Sequence, residues 1–208
     1  MAATTPHAAP TEVRIRVIGG STTGKTVLIR HHVLGLYSDE YDPTDGSYRA
    51  LKLVQGKSIV FDLEDFRLDS CSNSAFVDQV ILQDADAVIT VIEPTRPTAT
   101  DELERVWSHS LDPAFKERRD TKRLVEVVVV LWWEDEMSGD GQDTQEWREG
   151  MDRGRRMAER AGGAHVLPVK ARSGQGVAEA FDAVAMKVME MRAAKAAEGA
   201  TGDQHAAP

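Results

Sequence analysis

Cysteine is nearly absent from this chain: Cys71 stands alone among 208 residues. An internal disulfide is therefore excluded, and the composition fits a reducing compartment. Cys71 itself reads as a small filler side chain. Long apolar runs are missing too, and no stretch approaches the roughly 20 residues that a membrane-spanning helix needs. Basic charge is scarce: 25 Lys and Arg face 34 Asp and Glu, a formal net charge of −9. That balance argues against a nucleic-acid binder, whose affinity needs a basic face. The start, MAATTPHAAP, has neither a basic n-region nor an apolar h-region, so no secretory leader is expected. Ala2 in place of Gly argues against N-myristoylation, and the cysteine-free ATGDQHAAP against prenylation. The expectation is a cytoplasmic protein with no lipid anchor of its own, reaching a membrane only through a partner.

What the chain does have is a dense octet near its beginning. Residues 19 to 26 read GGSTTGKT, which fits the phosphate-loop pattern G-x-x-x-x-G-K-[ST]. Each residue type has a physical reason. Glycine lets the backbone wrap an anion with no Cβ in the way. Loop N–H groups and the start of the next helix point at phosphate oxygens. Lys25 brings a mobile positive charge to the β- and γ-phosphates, and the Thr26 hydroxyl can ligate the Mg²⁺ that accompanies them. The context agrees. Val13, Ile15 and Val17 alternate with Arg14 and Arg16 ahead of the octet, a strand signal. Val27, Leu28, Val33 and Leu34 follow it as the apolar stripe of a helix. The phosphate-side candidates are Gly19, Gly20, Ser21, Thr22, Thr23, Gly24, Lys25, Thr26 and Val27.

Further strands are predicted at Ser47–Val54, Ser58–Leu63, Ala87–Ile92, Leu124–Leu131 and His165–Val169, besides Val13–Ile18. Gln55-Gly56-Lys57 makes a hairpin turn between the second and third. Helical periods fill the other connections: Leu103, Val106 and Trp107; Trp147, Met151, Ala158 and Ala161; Val177, Phe181, Val184 and Val188. The run VEVVVVL from 125 to 131 is nearly all apolar, as a strand covered on both faces demands. Strands alternating with helices predict an α/β fold: a doubly wound, mostly parallel six-stranded sheet with helices on both faces. This domain is expected over residues 11–195, between disordered tails at 1–10 and 196–208. The charged stretch Asp112–Arg123 reads as a solvated loop. His31 and His32 are adjacent on a helix and face different directions, so they read as core or surface histidines and not as a metal pair.

Downstream of the phosphate helix, Tyr41-Asp42-Pro43-Thr44 is followed by Ser47-Tyr48-Arg49, and Gln175-Gly176-Val177 by Ala180-Phe181. With the octet, these runs make the chain resemble the Ras family of small GTPases over nearly its whole ordered length. The resemblance implies a P-loop small-GTPase fold, Mg²⁺-dependent binding of GTP and GDP, hydrolysis of GTP to GDP and phosphate, and a signalling-switch role. It implies that Thr44 senses the γ-phosphate and closes on Mg²⁺, with Thr26 and Asp65 as the other metal-side groups. Tyr37 falls where the family sets an aromatic ring against the guanine. Asp135 matches the carboxylate that reads guanine, and Trp133 replaces a lysine whose stem covers the purine. Ala171 matches the residue whose amide meets guanine O6, with Arg172 beside it. Effectors and regulators are then expected at Asp42–Lys52 and Asp65–Val80 of a monomer, with no nucleic acid involved.

Departures from the family pattern shape the expected activity. Leu68 replaces a glycine whose N–H approaches the γ-phosphate, and Asp69 replaces the glutamine that orients water. A carboxylate about 4 Å from a phosphate charge meets roughly 4 kcal/mol of repulsion at an effective dielectric near 20. Of the catalytic candidates Lys25, Thr44 and Asp69, the last therefore predicts slow hydrolysis. Trp132, Trp133 and Lys170 stand where the family has Asn, Lys and Ser, which predicts weak base preference. Ser21 and Thr22 stand where Ras itself has glycines, and Thr22 crowds the path of an incoming arginine finger. Two other readings stay open on the residues. One is a pseudo-GTPase that serves as an interaction module through the Asp45–Lys52 edge. The other is a P-loop small-molecule kinase using Arg118, Arg119 and Arg123.

Overall fold

Alternating apolar stretches collect into one sheet in the computed structural model, which describes residues 9–37, 46–67, 77–95, 97–120, 124–133, 145–160 and 165–202. The strands are β1 (Thr11–Gly19), β2 (Ser47–Val54), β3 (Lys57–Arg67), β4 (Ala87–Ile92), β5 (Val125–Trp132) and β6 (His165–Lys170). They form a six-stranded sheet in the order β2-β3-β1-β4-β5-β6. Only β2 runs antiparallel to its neighbour; the other pairings are parallel. Val54 pairs with Lys57, leaving Gln55 and Gly56 in the turn with φ of 48° and 78°. Left-handed backbone at both positions closes a hairpin that matches the strand twist.

The helices are α1 (Lys25–Leu34), α2 (Pro97–Val106), α3 (Asp112–Asp120), α4 (Gln145–Arg160) and α5 (Val177–Gly202), with π-helical turns at Val77–Ile81 and Trp107–Leu111. They cover both faces of the sheet, and β5 shows why its sequence is so apolar. Val127, Val129 and Leu131 pack with Leu28 and Ile29 of α1 and with Phe181, Val184 and Val188 of α5. Val128, Val130 and Trp132 pack with Leu103 of α2 and with Met151 and Met157 of α4. A strand between two helical layers has no solvent face to mark with polar residues.

Three places depart from the sequence reading. Arg16, expected on a polar face of β1, is 8% exposed. The strand is central, so the arginine is covered and held instead: its Nη1 lies 3.2 Å from Glu64, and its Nε donates to the Ile81 carbonyl at 3.3 Å. The Asp112–Arg123 stretch is helical from Asp112 to Asp120 and is no solvated loop. Leu111, Ala114 and Phe115 are buried at i, i+3, i+4 spacing, and Phe115 meets Trp107 edge to face at 5.3 Å. Those apolar side chains dock the segment. Finally, α5 continues past Lys195 to Gly202. Its Ala-rich end favours helix, and Arg192 anchors it by donating to Asp86 at 2.6 Å and to the Glu12 carbonyl at 2.9 Å. Among the described residues, no helix is long and apolar enough to cross a membrane.

Candidate functional site

The phosphate loop sits where β1, in the middle of the sheet, turns into α1. Gly19 is required by space: a Cβ there would lie 2.6 Å from the Val91 carbonyl oxygen and 2.8 Å from Thr23 Oγ1. The loop then passes through left-handed backbone at Thr22 (φ 62°) and Gly24 (φ 83°). For a β-branched threonine that conformation is uncommon and costs on the order of 1–3 kcal/mol. The loop interior is tied by its own side chains. Lys25, 5% exposed, donates from Nζ to the Gly20 carbonyl at 2.8 Å, and Thr23 Oγ1 donates to the same oxygen at 3.0 Å. No side chain caps the start of α1, and its first turn carries no acidic residue. The positive end of that helix dipole and its leading amides therefore face the loop.

The expected metal-side groups on the two flanking elements meet directly. Thr26, in the first turn of α1, donates its hydroxyl proton to Oδ2 of Asp65 on β3 at 2.5 Å. Asp65 sits level with Val17 of β1, and its amide donates to the Gly46 carbonyl at 3.4 Å. Its second oxygen, Oδ1, is buried and has no hydrogen-bond partner among the described residues. A buried carboxylate oxygen with nothing to accept from suits a hydrated hard cation. Among the described residues, no three His, Cys, Asp or Glu side chains converge. A metal at this place would draw its other oxygens from water and phosphate, which is how Mg²⁺ is ordinarily held. The described residues thus fit Mg²⁺.

Beyond Lys25, the ends of β5 and β6 bring Tyr37, Trp133 and Arg172 together. Tyr37 and Trp133 meet edge to face, with centroids 6.4 Å apart and an interplanar angle of 77°. The Arg172 guanidinium lies 5.9 Å from the Tyr37 ring centre. Gly35 positions the tyrosine: its left-handed backbone ends α1, with its amide on the His31 carbonyl at 3.0 Å, and turns the chain back. His31 thereby joins the cluster, 6.2 Å from Tyr37 by ring centres and 3.1 Å from the Arg172 carbonyl oxygen through Nε2. His31 reads from the sequence as a core or surface histidine; its place four residues before a glycine helix stop was the available signal for this contact.

The tryptophan pair divides between the two faces. Trp132 packs into the α4-side core, whereas Trp133 lies on the α1 side, where a Cβ on Gly24 would stand 3.6 Å from its Cζ2. Ala171 departs from expectation. Its amide donates to the Trp132 carbonyl at 2.7 Å, so the pairing of β5 with β6 already uses the group expected to meet guanine O6. Behind the cluster, His32 is buried against Phe181 (3.9 Å, 21°) and Phe61 (4.5 Å, 78°). Burial, helped by the charge of Lys52, pushes its pKa down to about 3. This histidine is a neutral core ring. Tyr41, Asp42, Pro43, Thr44, Leu68, Asp69 and Asp135 lie outside the described residues, as does much of the expected partner region at 65–80. A scan against protein-family models finds none that matches the chain.

Proposed function

We propose that the protein is a Ras-like small GTPase of the P-loop fold that binds GTP and GDP with Mg²⁺, turns GTP over slowly and serves as a signalling switch. The observation that carries this reading is the pairing of Thr26 with Asp65 at 2.5 Å beside a buried Lys25, at the mouth of a loop that only glycine at position 19 allows. In this reading, Lys25 offsets phosphate charge at the β–γ end. The leading amides of α1 and of the loop donate to the remaining phosphate oxygens. Thr26 and Asp65 would hold the cation, and the family resemblance would add Thr44 when the γ-phosphate is present. The chemistry Mg²⁺ would supply there is neutralisation of phosphate charge. Asp69, a carboxylate where the family has glutamine, keeps turnover slow.

The test begins with the purified protein. Denaturation should release a nucleotide identifiable by chromatography, and calorimetry should show Mg²⁺-dependent GTP uptake that Lys25→Ala abolishes. Equal uptake by the variant and the unaltered protein would sink the reading. A second reading is favoured by the edge of the sheet. On β2, Leu51 and Leu53 are 66% and 74% exposed, with Leu34 and Leu36 exposed at the end of α1. An interaction module with little or no turnover would use this edge to hold a protein partner. Tight nucleotide without phosphate release in a single-turnover assay selects it over the switch.

A further inference from the structure

We infer that a second small-molecule site lies at the β6 edge of the sheet, and that its ligand is a small aromatic carboxylate. A cavity of about 240 Å³ opens at this edge, lined from α4 by Trp147 and from α5 by Glu179. It is distinct from the phosphate loop, and the inference does not depend on the nucleotide reading. Lys170 is level with Trp132 in the β5–β6 pairing, and level residues on adjacent strands share a face. That face is the α4 side, where Trp132 packs. Trp133, beside Gly24 of the loop, lies on the opposite, α1 side. A peptide strand is a poor occupant of the edge itself. Pro168 has no N–H to offer a partner, and the Lys170 amide and carbonyl are taken by the Gln175 carbonyl at 2.9 Å and the Gly174 amide at 3.0 Å.

The cavity's size, walls and polar groups specify the ligand. Its volume falls below the roughly 300–1,000 Å³ of drug-sized pockets, which suits one or two fused rings with a short arm. The walls are apolar and partly flat: the Trp132 and Trp147 rings with Leu167 and Pro168. Gly150 of α4 shapes them, because a Cβ there would stand 2.7 Å from Trp132 Cη2. Glycine lets the helix close over the indole. Trp132 is 2% exposed, and its Nε1–H is buried with no acceptor among the described residues. A buried donor left unpaired costs free energy, so a ligand that brings an oxygen to it gains affinity. The Lys170 ammonium adds a positive charge to the same lining. Glu179 carries the opposite charge, but it stands in the first turn of α5, where the helix dipole already favours a carboxylate. An N–H donor and an ammonium around an apolar slot recognise a ring that bears a carboxylate.

Calorimetry on the full chain tests this with naphthoate, its neutral amide naphthamide and the cation naphthylmethylamine. Naphthoate should bind with a Kd of about 1 mM or tighter, the affinity expected of a ligand this small. It should bind about 3- to 10-fold more tightly than naphthamide. Lys170→Met should remove that advantage and leave naphthamide binding unchanged, which also reports that the variant is folded. Trp147→Ala should weaken both about 2- to 12-fold. In a proton–nitrogen spectrum the Trp132 indole signal, assigned with Trp132→Phe, should move as naphthoate is added. Tripolyphosphate with Mg²⁺, which probes the phosphate loop, should not displace naphthoate. The inference is overturned if naphthoate fails to bind at several millimolar, or if the amine binds more tightly than the carboxylate. It is overturned equally if Lys170→Met keeps the preference, if the Trp132 signal stays in place, or if tripolyphosphate displaces naphthoate. Whether the phosphate loop binds nucleotide is decided separately, by the Lys25→Ala calorimetry.

Discussion

His32 offers a prediction whose sign and size both follow from its surroundings. The ring is 7% exposed, stacked on Phe181 and edge-on to Phe61, and its Nε2 is buried without a partner among the described residues. Its pKa falls from 6.5 to about 3, first through burial and then through the charge of Lys52. Below about pH 6.5 the unfolded chain takes up a proton here that the native chain refuses until about pH 3. Stability from this residue is therefore complete above pH 6.5 and drains away as pH falls through that window, at about 1.4 kcal/mol per unit. At pH 5 the loss is about 2 kcal/mol, or about 4–8 °C in Tm for a domain of this size. His32→Phe keeps a ring in the stack and removes the titrating group. Thermal melts of both proteins from pH 8 to pH 5 should start near each other and separate, with the variant more stable by about 2 kcal/mol at pH 5. Melting curves that run parallel across the range would refute the reasoning.

Phe115→Ala should cost about 3–5 kcal/mol in urea denaturation, because it empties a fully buried site against Trp107; a change within about 0.5 kcal/mol would mean a solvated segment after all. Gly24→Ala places a Cβ on left-handed backbone and 2.0 Å from Leu131 Cδ2. It should lower the ligand-free Tm by the equivalent of about 1–3 kcal/mol and abolish triphosphate binding. Asp65→Asn should leave the ligand-free protein as stable or slightly more so, since it removes a charge whose Oδ1 is buried without a partner among the described residues. The same variant should weaken Mg²⁺ dependence about 10- to 100-fold when nucleotide binding is titrated against the metal.

The strands and most helices were legible because apolar periodicity records which faces are covered. Periodicity does not say what covers them. That is why Arg16 reads as a solvent-facing residue until the turn at Val77–Ile81 is seen to supply its acceptor. The helix α3 was hidden by composition: its charges outnumber its apolar residues, yet Ala114 and Phe115 decide where it docks. Around the loop, the sequence reading set Thr26 and Asp65 near each other, and they meet. Backbone commitments were not legible. Nothing in the letters around Ala171 reveals that its amide is already engaged, because that bond depends on the register of β5 against β6. His31 was missed for a related reason: the turn at Gly35 brings Tyr37 back over it.

β3 connects two surfaces that otherwise have little to do with each other. Along one side it is laced to the solvent-facing leucine strand from Lys57 to Glu64, and one residue further it carries Asp65. The Asp65 amide is in turn tethered to Gly46, the residue just before β2. A molecule that grips β2 and drags it along its axis pulls on Gly46 and so tugs the carboxylate that faces Thr26. Force applied at the rim and the placement of the Asp65 carboxylate are therefore linked, through the ladder from Lys57 to Glu64 and through the Gly46 contact beyond it.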